Sequence, residues 1–345
     1  MKPAPINRTV ESFKSGNIKM STPSQNPGRC QRVHLWIYNH SFFGISDQIE
    51  YFVQSFQQNG YSTSVGREPS GSALNVVIEN FSALTRDTLV NFCSRTRKRV
   101  AVIMTEHIDF LDRRIFIHGD PLWSANDYMH PATQTERLRC LMSCQPYIKF
   151  FMVLGDLPEL RNFADVMIGA DIRAIPFPKI DRVANSGIDE LPQPSNDLLF
   201  TGFVTEYREK LLPELGALGF SVVSPRRFVS RKRRDQLNRS AKIVLNIPQR
   251  ERWRWLSLMR VIAALRCGRA TVSLGTDDTS RIAACTYQLD IRDSHWKEGL
   301  KAYVAGWPLA YEKAYEAYCR LTRDFERECP FPHDMMEYWA ITDRV

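Results

Sequence analysis

The strongest constraint on the fold lies between residues 240 and 273, where the sequence predicts a buried strand, a polar loop, an apolar helix and a second short strand. The first strand is expected over 242–247, and the helix has apolar side chains at helical spacing before Gly268 ends it. This order is typical of a βαβ unit in a parallel sheet, whose loops carry ligands at the carboxyl ends of the strands. Either a ligand site or a purely structural βαβ unit satisfies this pattern.

Similar alternation runs through the rest of the chain. Its 345 residues suit two domains. In the first half, strands are expected over 33–38, 61–65, 74–78, 99–104 and 148–154. The alternation of strands and helices restarts with a strand over 197–201. A helix capped by Ser46 or Asp47 and stopped by Gly60 follows the first strand. The fold class is therefore α/β, with two parallel sheets that face each other across a cleft and with long helices near the C-terminus.

Changes of composition divide the chain into five parts. Pro, Ser, Asn and Lys are frequent at the start, and a polar, proline-containing span follows Pro178. We expect a disordered tail over 1–30, a first domain over 31–178, a linker over 179–196, a second domain over 197–328, and a C-terminal tail over 329–345 that can pack back on the first domain.

Charge and cysteine usage narrow the class of protein. The formal net charge of +8 favours anionic partners without choosing among phosphates, nucleic acid and acidic lipids. Eight cysteines occur without a Cys-x-x-Cys pair, which favours free thiols in a reducing cytoplasm and gives no zinc motif. No apolar run reaches the length of a membrane helix, and no signal sequence is evident. The sequence therefore predicts a cytoplasmic protein, with peripheral contact to an anionic membrane left open.

Candidate proton-transfer residues lie in the first half. Residues 105–133 show no clear period, and a long loop in a compact domain usually binds or covers something. Glu106 and His107 directly follow a predicted strand, so we expect them at its catalytic end, and Asp47 after the first strand is a third candidate base. Asp109 and Gly44 are expected at the acceptor side of the cleft. Each of them is also compatible with an ordinary loop residue.

Candidate ligand-binding residues lie in the second half. Gly202 follows a predicted strand and opens a helix that carries Arg208, an arrangement suited to an anion. In the βαβ unit, Lys242, Asn246 and Arg260 are suited to hold the phosphates of a nucleotide diphosphate. Trp253 and Trp255 lie between them beside several arginines, where they can stack on a base or a sugar or pack in the core.

A dense basic run covers residues 226–239 and contains one aromatic residue, Phe228. It can bind nucleic acid, an acidic membrane or a diphosphate, and it is also compatible with a merely solvated face. Because a single-strand binding platform needs several stacking rings, nucleic acid is the less favoured of these partners.

Three collinear segments resemble the donor domain of CgeB-like glycosyltransferases: 197–212 with its Gly202 and Arg208, 238–247, and 258–268 with its Cys-Gly end. The resemblance implies a GT-B architecture of two Rossmann-like domains, with a nucleotide sugar bound mainly by the second. It also implies that Gly202, Arg208, Asn246, Ser257 and Arg260 face the donor.

This resemblance predicts a glycosyltransferase that moves a sugar from a nucleotide-diphosphate sugar to an unidentified glycan, lipid or protein acceptor. No cofactor and no metal are expected, because arginine and lysine can neutralise the departing diphosphate. The chain departs from the family pattern at Ala263 and Trp255, where many GT-B enzymes have glutamates, one of them on the nucleotide ribose. Two alternatives stay open: a non-catalytic nucleotide or sugar binding protein of the same shape, and a basic binder of nucleic acid or membrane surfaces.

Overall fold

Two parallel β-sheets flanked by helices form the framework of the chain. The computed structural model describes residues 31–343 apart from positions 39, 41, 80, 106–107, 112–113, 118–119, 122–130, 157–161, 168, 184–190 and 252. The predicted tail over 1–30 and two candidate bases, Glu106 and His107, thus lie outside the described residues.

The first domain contains nine strands and four α-helices among its described residues. In chain order they are β1 (Arg32–Trp36), α1 (Phe42–Gln58), β2 (Ser62–Gly66), β3 (Leu74–Ile78), α2 (Ala83–Thr96), β4 (Val100–Met104), β5 (Ile108–Leu111), β6 (Arg114–Ile117), β7 (Asp120–Pro121), α3 (Pro131–Ser143), β8 (Ile148–Leu154), α4 (Phe163–Val166) and β9 (Ile172–Ile175).

The second domain follows the linker and is succeeded by the C-terminal helices. Its elements are β10 (Asn196–Leu199), α5 (Glu206–Ala217), β11 (Val222–Val223), α6 (Arg231–Ser240), β12 (Ala241–Asn246), α7 (Leu258–Leu265), β13 (Ala270–Leu274), β14 (Tyr287–Leu289), α8 (Trp296–Ala305), α9 (Trp307–Glu328) and α10 (His333–Asp343).

Both large sheets have the same topology. The first sheet has the order β2-β1-β3-β4-β8-β9 and the second β11-β10-β12-β13-β14, and every neighbouring pair is parallel. The strand order therefore reverses between β1 and β3 and again between β10 and β12, which are the points where open α/β sheets form crevices. The chain has two Rossmann-like domains, as the sequence predicts.

Apolar packing joins the two domains. The central strands β3, β4 and β13 are buried along their whole length, which is typical of parallel strands covered on both faces. One large apolar cluster contains residues of both sheets, including Val76 and Ile103 from the first and Ile243 and Val272 from the second. A second cluster covers the other face of the first sheet.

Helices α9 and α10 contact both the linker and the first domain. The Tyr318 hydroxyl donates to the carbonyl of Pro178 at 2.7 Å, and the Tyr315 hydroxyl donates to that of Ile180 at 3.0 Å. Farther along, the ring of Trp339 in α10 packs edge-on against Phe150 of β8, with the centroids 5.7 Å apart. The described part of the linker is thus fixed by hydrogen bonds to the C-terminal helices.

The predicted start of the first helix was wrong. Helix α1 begins at Phe42, so Ser46 and Asp47 lie inside it rather than at its cap. Ser46 is buried on the packed face of the helix, and Asp47 is held by an ion pair from the second domain. Both polar side chains have tertiary neighbours that the local pattern could not reveal.

The structure also contains elements that the sequence analysis did not predict. Part of the predicted loop over 105–133 forms an antiparallel three-stranded sheet, β5-β6-β7, whose Ile108 and Ile117 are buried. The basic run includes helix α6, with the Ser230 hydroxyl as its cap. Short strands β9 and β14 were missed, because three or four residues give too little period to read.

Candidate functional site

The loops after β10 and β12 lie side by side at the carboxyl edge of the second sheet. Because β10 and β12 are hydrogen-bonded neighbours on either side of the order reversal, the described residues of the two loops, 200–205 and 247–251 with 253–257, border one crevice. The Thr205 hydroxyl donates to the carbonyl of Gln249 at 2.7 Å and joins the two loops directly. Topology alone therefore brings the two best sequence candidates, the Gly202 turn and the βαβ loop, to one place.

Phe200 forms the floor of this crevice. Its ring is fully buried and is contacted by two guanidiniums, with Cζ of Arg208 4.9 Å and Cζ of Arg260 5.0 Å from its centroid. Such cation–π contacts stabilise a buried guanidinium. The sequence analysis missed Phe200, although a buried aromatic residue directly before a Gly-containing turn was a signal that could have identified it.

Gly202 is required because the chain passes close to two side chains. A Cβ atom at this position would lie 2.6 Å from Cζ of Phe200 and 2.7 Å from Nη2 of Arg260. Distances this short exclude any side chain unless its neighbours move. The glycine therefore leaves the guanidinium of Arg260 in direct reach of the turn.

Arg208 holds the two loops together. Its Nε donates to the carbonyls of Ile247 and Pro248 at 3.0 and 3.1 Å, and its Nη1 donates to the carbonyl of Phe203 at 2.7 Å. Its Nη2 donates again to Ile247, and only 5% of the residue is exposed. The guanidinium is therefore committed to backbone carbonyls, which makes Arg208 a positioning residue for the crevice.

Arg260 has a different environment. Its Nη1 donates to Oδ1 of Asn246 at 3.0 Å, and this is its sole side-chain hydrogen bond within the described part of the chain. Burial lowers the pKa of Arg260 to about 10, while Asp47 raises it and Arg234 lowers it further. The group is cationic at neutral pH and retains unused N–H donors beside Gly202, which suits an anionic ligand.

Asn246 and Ser257 position the start of helix α7. The side chain of Asn246 accepts from the Ser257 backbone N–H and donates to the Ser257 carbonyl, both at 3.2 Å. Ser257 is the exposed N-cap residue, and its hydroxyl makes no capping bond with the first turn. Asn246 thus fixes the positive end of α7 and the guanidinium of Arg260 in one arrangement.

Lys242 lies away from this group. It is near the amino end of β12, where its Nζ is 2.8 Å from Oδ1 of Asp197 at the amino end of β10. Strand β12 is six residues long, so Asn246 lies at its other end. Gly202, Arg208, Asn246, Ser257 and Arg260 meet at the carboxyl edge, and Lys242 does not join them.

In the first domain, the described candidates face the second domain through α1. Oδ1 of Asp47 accepts from Nη2 of Arg234 at 2.6 Å, and the two oxygens of Glu50 pair with Arg231 at 2.6 Å and with Arg266 at 2.7 Å. Burial raises the pKa of Asp47, although Arg234 acts to lower it. These ion pairs place the acids of α1 against the arginines of α6 and α7.

For the remaining candidates of the first domain, the structure gives at most a position in the fold. Gly44 is an exposed position in the first turn of α1, and Asp109 belongs to strand β5. Glu106 and His107 lie outside the described residues, and the nearest preceding element is β4, which ends at Met104.

The two tryptophans of the βαβ loop are buried. Trp253 is 4% and Trp255 6% exposed, and Trp253 belongs to the apolar cluster of the first domain. The sequence leaves open whether these rings stack on a ligand or pack in the core, and their burial agrees with packing in the core. The loop over 253–257 is thereby anchored between the domains.

The structure gives a reason for Ala263. It is 7% exposed and lines a cavity of about 10 Å³ between α1 and α7, together with Asp47, Tyr51 and Met259. That volume holds at most about one water molecule. A glutamate at 263 would require α1 and α7 to move apart, so the small residue fits the close packing of the two helices.

The basic run forms an exposed surface next to the crevice. Arg226, Arg227, Lys232, Arg233 and Arg239 are exposed. The rings of Phe203 and Phe228 stack at 6.4 Å with 60% and 67% of the residues exposed. This surface therefore has two exposed rings where the sequence analysis counted one.

Among the described residues, no three His, Cys, Asp or Glu side chains group closely enough to hold a metal ion. None of the described helices combines the length and the apolarity that crossing a bilayer requires.

Comparison with known proteins gives similarity at the level of the fold. No protein-family model matches the sequence, and no curated protein matches it. Among solved structures, TarM has 10% identity and a TM-score of 0.45, and the match covers 80% of this chain and 55% of TarM. The chain thus spans about half the length of TarM.

Two further solved structures are similar. An α,α-trehalose-phosphate synthase from Burkholderia xenovorans, described as UDP-forming, has 9% identity and a TM-score of 0.44, with 80% of this chain and 74% of that chain covered. An α-glucosyltransferase solved with UDP and DNA has 12% identity and a TM-score of 0.37, with 91% and 99% covered. The similarity of all three to this chain is one of fold alone.

Proposed function

We propose that this chain is a glycosyltransferase that binds a nucleotide-diphosphate sugar at the carboxyl edge of its second sheet. The observation that carries the proposal is the guanidinium of Arg260, which makes one side-chain hydrogen bond among the described residues and lies next to Gly202, which has no side chain to cover it. The position is the crevice at which open α/β sheets bind ligands. The three segments that resemble CgeB-like glycosyltransferases belong to this same part of the chain. Membership of that group is part of the proposal.

The residues around Arg260 have separate roles in the proposed reaction. Arg260 and the positive end of α7 stabilise the negative charge that develops on the leaving diphosphate. Asn246 orients both groups, and Arg208 keeps the bordering loops in place through their carbonyls. This arrangement supports a reaction without a metal ion, since the cationic side chain supplies the charge.

The proposed acceptor is held by the first domain. Glu106 and His107 remain the proposed bases, because they directly follow β4 at its carboxyl end. Asp47 is the weaker candidate, because its carboxylate is occupied by Arg234. We further propose a cytoplasmic location, which the seven unpaired cysteines among the described residues support.

Isothermal calorimetry with UDP, GDP, ADP and dTDP tests the proposal on the full chain. We expect one of these nucleotides to bind with a Kd in the micromolar range and its sugar derivative to be hydrolysed or transferred. Absence of binding to all four would contradict a donor site. Binding of a nucleotide sugar without transfer over a broad acceptor screen would instead favour a non-catalytic binding protein of the same fold.

The exposed basic surface favours the other alternative, a contact with an anionic membrane or nucleic acid. Exposed cations beside two stacked phenylalanines suit both. Salt-dependent binding that survives Arg260→Ala, but is lost when Arg226, Arg227, Lys232 and Arg233 become Gln, would assign such binding to this surface and separate it from the donor site.

A further inference from the structure

A cavity of about 610 Å³, separate from the Arg260 site, lies at the carboxyl edge of the second sheet. Its walls come from Tyr207 at the start of α5, from Glu251, Trp253 and Arg254 of the βαβ loop, and from residues 275–277 and 290–292 after β13 and β14. The volume is within the range of small-molecule sites. None of the candidate residues around Arg260 lines this cavity, which shares only the βαβ loop and the start of α5 with that site.

The charge of the cavity is opposite to that of the Arg260 site. Its two guanidiniums have acidic partners: Arg292 pairs with Asp290 at 2.8 Å, and Arg254 lies 3.7 Å from Asp277. Glu251 adds a carboxylate that has no ion pair among the described residues. Phosphate groups are therefore disfavoured in the cavity, whereas a neutral ligand that donates hydrogen bonds is favoured.

The Tyr207 hydroxyl adds an unused polar group to the wall. It is buried and has no hydrogen-bond partner in the described part of the chain. It lies so close to Gly275 that a Cβ atom there would be 2.7 Å from it. Burial raises the pKa of Tyr207 to about 12, and the carboxylate of Glu251 adds to the effect. The phenol is therefore neutral and can donate or accept a hydrogen bond.

We propose that this cavity binds a saccharide. A sugar unit offers several neutral hydroxyls that donate to carboxylates such as Glu251, and its C–H faces pack on an aromatic ring such as that of Tyr207, which lines the cavity. The proposal rests on the proposed glycosyltransferase function and names a second substrate subsite for it. The saccharide is either the sugar carried by the donor nucleotide or a sugar of the acceptor, and both have the same hydrogen-bonding chemistry.

Two conservative variants test the subsite. Tyr207→Phe removes the hydroxyl, and Glu251→Gln removes the exposed carboxylate. Tyr338→Phe, at an exposed position of α10, is the matched control. Calorimetry on the full chain uses UDP, GDP, UDP-glucose, UDP-N-acetylglucosamine and GDP-mannose, and ligand-observed NMR uses the free sugars. We expect each variant to weaken binding of a nucleotide sugar or a free sugar at least fivefold, with nucleoside diphosphate affinity unchanged within twofold and the control unaffected.

The pattern of losses identifies the sugar. Weaker binding of the nucleotide sugar alone assigns the cavity to the donor's sugar, whereas weaker binding of a free sugar assigns it to the acceptor. An equal loss for the nucleoside diphosphate overturns the proposal, as does unchanged binding of every sugar-bearing probe. A wild-type chain that binds free sugars but no nucleotide leaves the subsite standing and refutes the donor site. A wild-type chain that binds no sugar in any form refutes the subsite.

Discussion

The two domains share one strand order but carry opposite charges where they meet. In the first domain, α1 presents the carboxylates of Asp47 and Glu50. In the second domain, α6 and α7 present arginines, of which Arg231, Arg234 and Arg266 pair with those carboxylates. Arg260 belongs to the same basic face but has no acidic side chain within ion-pair distance among the described residues. Three of these arginines therefore hold the domains together, whereas Arg260 takes no part in those ion pairs and is the cation to which we assign the proposed ligand.

The loops at the two carboxyl edges are also held in comparable ways. In the first domain, the guanidinium of Arg67 donates to the carbonyls of Tyr38 at 2.7 Å and His40 at 3.1 Å, where Tyr38 has a φ of 46°. In the second domain, Arg208 does the same for Phe203 and Ile247. The difference is burial, because Arg67 is exposed and Arg208 is 5% exposed.

This difference in burial predicts the largest effect. Arg208→Ala leaves buried carbonyls without donors, so we expect it to lower the free energy of unfolding by about 3 kcal/mol. Arg67→Ala lets water replace the guanidinium, so we expect a loss of about 1 kcal/mol or less. Urea unfolding followed by tryptophan fluorescence measures both. Equal losses would show that the two arginines do the same work and that burial does not distinguish them.

The ion pairs between the domains predict a smaller effect. Glu50→Gln removes one carboxylate that serves two arginines in a half-buried contact, and we expect a loss of about 1 kcal/mol that shrinks in 0.5 M salt. The matched control is Glu206→Gln, whose exposed pair with Lys210 at 2.8 Å lies within one helix. That control should change the free energy of unfolding by less than about 0.5 kcal/mol. If both variants behave alike, the contact between α1 and the second domain does not depend on Glu50.

The sequence was sufficient for the framework of the fold. The buried runs that became β3, β4 and β13 and the Gly-terminated helix α7 are long or strongly patterned, and the bounds of β3 and β4 agree with the predicted ones to within about a residue. Strands β9 and β14 were missed because short strands are decided by their neighbours rather than by their own period.

The candidate site could be predicted only in part. Local sequence placed Gly202, Asn246 and Arg260 at the carboxyl edge, because strand ends and helix starts are legible. It could not distinguish the roles of Arg208 and Arg260, which depends on which carbonyls fold back against each guanidinium. It could single out Phe200 as a buried ring before the turn, but not its contacts with both arginines or the cavity beside Tyr207, since these contacts join segments that are distant in the chain.

The most direct test of the account is the nucleoside diphosphate affinity of Arg260→Ala, measured by calorimetry beside its free energy of unfolding. We expect the affinity to fall about 10- to 100-fold, the worth of a charged hydrogen-bonding group, while unfolding changes by no more than about 1 kcal/mol. Arg260→Lys should recover part of the affinity, because it restores the charge without the planar fork. Full affinity in Arg260→Ala, or a loss matched by an equal loss of stability, would contradict the assignment of this residue to the ligand.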